Sequence, residues 1–283
     1  MAQFPIPERF TSLAADIARD EHKRVTSPPS FFFAQANAIE LASDYFTGDR
    51  IGGYSGVATK HLNRIRGALL TQLLAAYEFC VKDFIAQVLD ATDLYDSVVE
   101  KAKWIDVSAS NVLALRDAGG AGVGALLIHP LMGWHETATV NDRYQAFFNH
   151  DLIPDVVLGQ QLQRLWIVRH SFAHNAGFVT GHDAYRLGAP HLREQAAAVD
   201  HEYIGSAANL LRSIARRLST DIGDAVRSRW FATRATGSWA DDQTTYVRLC
   251  EITACVERRS GELSPASEAD YLAALQATPA GTP

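Results

Sequence analysis

Across residues 57–91 the apolar side chains Leu70, Leu73, Leu74, Tyr77, Val81, Phe84, Ile85 and Val88 recur at steps of three and four. An α-helix turns about 100° per residue, so this spacing gathers them on one stripe and predicts a long core helix. Sustained strand-type alternation is almost absent from the rest of the chain, and the predicted fold class is all-α. A first helix is expected from Pro5 or Pro7 to about Arg24, stopped by the prolines of "TSPPS". A second covers "FFFAQANAIELASDYF" and ends at Gly48, where "GDRIGGYSG" forms a glycine-rich joint. Between Asp93 and Pro154 the periodicity breaks into short pieces, among them "NDRYQAFFNHDLI", expected as one or two amphipathic turns. Two further helices are expected over about residues 155–176 and 200–230, the second with Tyr203, Ala207, Leu210, Leu211, Ile214 and Leu218 inward. After the linker "ATRATGSWADD", short helices fall in "QTTYVRLCEITACVERR" and "SPASEADYLAALQ", and "ATPAGTP" is expected to be disordered. The predicted organisation is an N-terminal helical extension (1–50), a helical bundle (51–232), and C-terminal short helices with a tail (233–283).

A chain of 283 residues, 47% of them hydrophobic, can bury a full-sized core. The longest apolar candidate for a membrane span, "AGGAGVGALLIHPLMGW", is broken by glycines, His129 and Pro130, and "MAQFPIPERF" lacks the basic-then-apolar order of a secretory signal. Cys80, Cys250 and Cys255 form neither a paired framework nor a Cys-x-x-Cys signature, so reduced thiols and a cytoplasmic protein without membrane attachment are expected. The net charge of −6 argues against wholesale electrostatic binding of nucleic acid. Arg212, Arg216, Arg217, Arg227, Arg229 and Arg234 leave open a local basic surface; the alternative is a solvated helix face interleaved with Asp221 and Asp224. The glycines of "DAGGAGVGALL" have no Gly-Lys-Ser/Thr after them and no strand before them, which favours a loop over a phosphate cradle.

The stretch "VRHSFAHNAG", residues 168–177, places an arginine, two histidines and an asparagine at the end of an apolar helix. Leu158, Leu162, Leu165 and Phe172 form its inward stripe, and Arg169 lies on that stripe. A guanidinium there must be paired with a carboxylate, exposed in a cleft, or covered by another subunit, because an unpaired buried charge is very costly. Glu78 is one potential partner; its alternative is an i,i+4 pair with Lys82. His170 and His174 share a helix face, whereas Arg169 and His174 stand roughly 140° apart. One straight helix does not aim both at a single atom. Cooperation requires that the helix loosen or that two copies converge across a symmetry axis, which predicts a homodimer.

"RHSFAH" resembles the Arg-polar-x-x-x-His motif of HEPN domains, all-α bundles of prokaryotic defence and toxin systems and of eukaryotic RNA-processing factors. The similarity extends over about residues 56–230, through "AAYEFCVKDFIAQVL", "NDRYQAFF", "AHNAGFVT" and the long closing helix. The resemblance implies a HEPN-like bundle with helical extensions at both ends, and a metal-independent endoribonuclease of toxin or antiviral-defence type, with no cofactor and with RNA as substrate. It implies His174 as general base, Arg169 as phosphate clamp and His170 as an orienting or second acid–base group. An imidazole can take the proton of a ribose 2′-hydroxyl near neutral pH, and a guanidinium can grip two phosphate oxygens as charge builds. Asn175, a candidate substrate contact or helix cap, and Glu78 are the expected substrate-binding or orienting residues.

Other readings compete. The family also contains inactive members, so the chain can instead be a helical binding module for a nucleotide or for an antitoxin or defence partner protein. His170 and His174 have the i,i+4 spacing of a zinc pair, with a third ligand from His182, Asp183 or His150; Ser171 stands where a zinc-protease helix carries glutamate. The cations can also simply close a helix C-terminus by binding carbonyls. Trp104 and Trp134 are equally suited to local core and to base stacking.

Overall fold

A computed structural model of the protein describes residues 27–45, 56–101, 124, 133–234, 237–256 and 266–277. The helix expected before Arg24, most of the glycine-rich joint and of "DAGGAGVGALL", Trp104, and the "TPAGTP" end fall outside these residues. The described helices are α1 (Pro28–Tyr45), α2 (Gly56–Ala91), α3 (Asp96–Lys101), α4 (Thr137–Phe148) and α5 (Val156–His174), followed by α6 (Gly181–Arg186), α7 (His201–Ser219), α8 (Asp221–Ala232), α9 (Trp239–Thr253) and α10 (Glu268–Ala277). Short 3-10 turns cover Asp93–Tyr95 and Pro190–Leu192. Among the described residues there is no strand, and an isolated bridge joins Phe178 to Ala196. The fold is all-α.

Pro28 and Pro29, which forbid continuation of a preceding helix, here begin the next one. In a first turn the missing N–H costs nothing and the fixed φ suits the helix. Ser27 caps it, its Oγ accepting from the Ser30 N–H at 3.2 Å.

All eight residues of the 57–91 stripe are buried in α2. From Cys80 to Leu89 every residue is buried, because α1, α5, α7 and α9 all pack around this helix. Phe84, Tyr144 and Phe148 join α2 to α4, with the Tyr144 hydroxyl donating to Val81 O at 2.8 Å. α4 runs for 12 residues, longer than the one or two turns expected, and closes at Asn149 with φ 57°. Its register is held by the Asn141 side chain, which bonds Ile153 O at 2.8 Å and Ile153 N at 2.9 Å.

The helix expected over 200–230 is two helices, broken at Thr220, whose ψ is −97°. Thr220 Oγ1 bonds both Arg216 O, at 3.2 Å, and Asp221 Oδ1, at 3.0 Å, offering the backbone a local alternative to helix continuation. Asp221 and Asp224 then supply the negative charge that favours a new helix N-terminus. Tyr203 and Leu210, expected inward on α7, are only partly buried, while Ile204, Ala208 and Ala215 are fully buried.

Tyr246, Leu249, Ile252 and Tyr271 belong to the same hydrophobic cluster as α2, as do Phe32, Phe33 and Ile39 of α1. Arg248 Nη2 donates to Gln87 Oε1 at 2.8 Å, and the Tyr271 hydroxyl donates to Asp242 Oδ2 at 2.8 Å, docking α9 on α2 and α10 on α9. The described parts of segments 1–50 and 233–283 therefore share one core with the middle of the chain.

Most of the late arginines are occupied inside the fold. Arg212 pairs with Glu40 and Asn37, Arg217 with Asp221, and Arg227 with Asp224. Arg229 lies over Tyr95 with Cζ 5.1 Å from the ring centroid, Arg216 over Phe33 at 5.3 Å, and Arg234 over Trp230 at 5.3 Å. This matches the interleaved helix face rather than a free basic patch. No described helix is long and apolar enough to cross a membrane.

Candidate functional site

Asp155 starts α5, its side chain accepting from the Val157 and Leu158 N–H groups at 2.7 and 3.0 Å. At the other end the N–H groups of Asn175 and Gly177 both converge on Ser171 O, at 3.0 and 2.9 Å. Gly177 takes the left-handed φ of 90° expected of a helix stop, and Ala176 before it is also left-handed, at φ 53°. The chain then returns beside itself: Val179 N–H donates to Gln195 O at 2.9 Å, and Ala197 N–H donates to Gly177 O at 2.7 Å. Asn63 on α2 clamps the returning segment through Ala197 O and Val199 N–H, both at 2.8 Å.

Within this frame His170 and His174 are exposed on α5, their ring centroids 4.8 Å apart. Arg169 is half-buried. Its Nε is shut off from solvent without an acceptor, and the guanidinium has no ion pair among the described residues. Phe172, one turn on, closes against Gly67 of α2. Asn175 caps the helix through its main chain, and its side-chain Nδ2 is buried without a partner among the described residues. A single copy thus gathers the two histidines on one outward face and sends Arg169 along the inward stripe.

Glu78 is not brought to Arg169. It pairs with Lys82 on its own helix, and its other oxygen bonds His135 Nε2 at 3.0 Å. Burial opposes ionisation of this carboxyl, but the hydrogen bonds and charges of His135 and Lys82 outweigh it and bring its pKa down from 4.5 to about 2. His135 in turn lies against Trp166 of α5, ring centroids 4.4 Å apart. Glu78 is therefore linked to α5 through His135.

Two of the residues named as third metal ligands have other partners. Asp183 is buried and accepts from the Thr180 hydroxyl at 2.9 Å, and His150 Nδ1 bonds Phe148 O at 2.9 Å. Among the described residues no group of three or more His, Cys, Asp or Glu side chains is placed to hold a metal ion. Trp134 is core: it is buried, with Arg143 Cζ 4.3 Å from its ring centroid.

Two clefts flank α5. The larger, about 550 Å³, sits at its N-terminal end and is rimmed by Glu136, Asp151 and Asp155 with Arg186 as the one cation, a field that repels phosphate. The smaller, about 340 Å³, lies between α5 and α7 and contains Arg164 and no acidic side chain. Among the described residues, Arg64, Arg66, Arg164, Arg169 and Arg186 carry guanidinium groups without an ion pair or hydrogen bond. All but Arg186 belong to α2 and α5, the two helices that meet at Gly67 and Phe172. Arg164 and His135 carried no signal in the sequence and Tyr203 was expected only as an inward core position, because each is placed by residues of another element.

Comparison with known protein families, with curated proteins and with solved structures finds no match.

Proposed function

We propose that the protein is a metal-independent endoribonuclease of the HEPN kind, acting as a toxin or antiviral-defence effector through a site built from two copies of α5. The observation that carries this reading is Arg169: a half-buried guanidinium on an apolar stripe, with no acid among the described residues to neutralise it, beside two exposed imidazoles. An uncompensated charge in such a place is costly unless an external anion meets it, and a phosphodiester is the anion that histidines can also act upon.

In the proposed reaction His174 takes the proton of a ribose 2′-hydroxyl. The freed oxygen forms a bond to the adjacent phosphorus, and the bond from phosphorus to the 5′-oxygen breaks. His170 returns a proton to that leaving oxygen. Arg169 neutralises the non-bridging oxygens as they gain charge, the point at which electrostatic stabilisation acts most strongly. The products carry a 2′,3′-cyclic phosphate and a 5′-hydroxyl. Because Arg169 and His174 diverge around one helix, the arginine of one copy serves the histidine of the other across the two-fold axis.

That same divergence also favours a second reading, a catalytically silent HEPN-like module that binds a partner protein or a nucleotide. Cleavage of mixed structured RNAs in EDTA by the wild-type protein and by His174→Ala separates the two. Cyclic or 3′-phosphate ends that vanish in the variant support the nuclease; intact RNA with both proteins transfers the conclusion to the binding module.

A further inference from the structure

The cleft between α5 and α7 has no part in the chemistry above, yet it opens beside the motif. It is lined by the buried Leu165 and Ala207, the half-buried Leu210 and Tyr203, and the exposed Gln161, Arg164 and Ser206. Leu165 of the lining precedes Arg169 by one helical turn, which puts the cleft and the unpaired guanidinium on the same side of α5. Its volume of about 340 Å³ lies at the small end of ligand clefts, which run from roughly 300 to 1,000 Å³.

The chemistry of the lining selects among ligands. Arg164 is exposed and without an ion pair or hydrogen bond among the described residues, and no carboxylate enters the lining, so the rim attracts an anion. The apolar floor excludes water from a flat ring. Tyr203 offers an aromatic side, and burial raises the pKa of its hydroxyl, which keeps that group neutral. Gln161 and Ser206 supply an amide and a hydroxyl of the kind that read base edges. Aromatic face, amide, hydroxyl and cation beside a phosphate-seeking arginine make the set with which proteins hold an unstacked nucleotide.

We infer that this cleft holds the nucleotide next to the scissile phosphate of a single-stranded RNA, with Tyr203 against the base and Arg164 on the backbone. The inference rests on the ribonuclease reading for its substrate but concerns binding alone, and it is testable without cleavage.

The probe is a labelled single-stranded 2′-O-methyl oligonucleotide, which lacks the attacking hydroxyl, titrated by fluorescence anisotropy with the full-length wild-type protein and with Arg164→Gln, Tyr203→Leu and Tyr203→Phe. Tyr203→Leu is expected to weaken binding about tenfold with an unchanged salt slope, and Tyr203→Phe to retain wild-type affinity because it keeps the ring. Arg164→Gln, an exposed position where folding is not at risk, is expected to weaken binding and to lower the slope of log K against log salt by about 0.7, the share of one single-strand phosphate. Equal affinities for wild type, Arg164→Gln and Tyr203→Leu overturn the inference, as does displacement of the strand by millimolar inorganic phosphate, which marks a site for charge alone. RNA cleavage that persists unchanged in both variants removes the cleft and leaves the nuclease standing. Binding that depends on Arg164 and Tyr203 without any cleavage of ordinary RNA does the reverse.

Discussion

Gly67 of α2 lies flat against the ring of Phe172 of α5, so close that a β-carbon at position 67 would overlap the ring atoms. The contact stands three residues after Arg169 and two before His174, at the point where the motif helix is held to the core. Gly67→Ala is a sharp probe of it. In an unconstrained helix interior the change gains about 1 kcal/mol, whereas overpacking here costs about 1–3 kcal/mol and displaces Phe172. The expected outcome in urea unfolding is a net loss of up to about 2 kcal/mol, with a parallel drop in RNA cleavage. A variant more stable than wild type, keeping the roughly 1 kcal/mol gain, would mean that the helices separate freely at this point.

Arg169→Ala and His174→Ala are each expected to lose cleavage activity. In a site shared across a two-fold axis, a mixed dimer of the two variants carries one intact site and one doubly broken one. Random mixing makes half the dimers mixed, so about a quarter of wild-type activity is expected to return. No recovery after subunit exchange, checked by light scattering for dimers, would place both groups in one subunit.

Ala176 holds a left-handed backbone, φ 53°, at the end of the motif helix, where a β-carbon costs about 1–2 kcal/mol. Ala176 is exposed, so Ala176→Gly relieves that strain without opening a cavity. The melting temperature is expected to rise by about 2 °C, with cleavage retained. Calorimetry on the two proteins measures it directly.

The Glu78 carboxyl is lowered from 4.5 to about 2 by its bonds to His135 and Lys82, working against burial. A folded-state pKa below the unfolded one contributes stability that is full above the unfolded value and is lost as pH falls through the folded value. Wild-type stability is therefore expected to fall more steeply than that of Glu78→Gln between about pH 4.5 and about pH 2, and to exceed it near neutrality. Thermal melts across that range show the two curves converging as pH falls; parallel curves would remove Glu78 as a contributor.

Helical burial was written locally. The α2 stripe repeats with the geometry of the backbone itself, so Leu70 to Val88 could be placed inside before any partner was known, and all are buried. Gly177 as the helix stop was legible in the same way, whereas the i,i+4 pair of Glu78 with Lys82 was one of two readings left open. The break at Thr220 was hidden because it depends on a hydroxyl choosing two local acceptors within an otherwise continuous apolar pattern.

The chain by itself determined that the protein is all-α, that α5 ends in an arginine and two histidines, and that a single helix separates Arg169 from His174 in angle. Those properties follow from about 100° of rotation per residue and from side-chain chemistry. Tertiary structure decided which acid Arg169 would lack. Glu78 is bound across 57 positions by His135, and the late arginines are absorbed by Asp221, Asp224, Glu40 and aromatic rings. It also decided that Arg164 and Tyr203, 39 residues apart in sequence, would face one cleft. Periodicity states which face of a helix is apolar. Only burial summed over the whole chain states which other face it meets, and that pairing leaves some charges satisfied and a few open to a ligand.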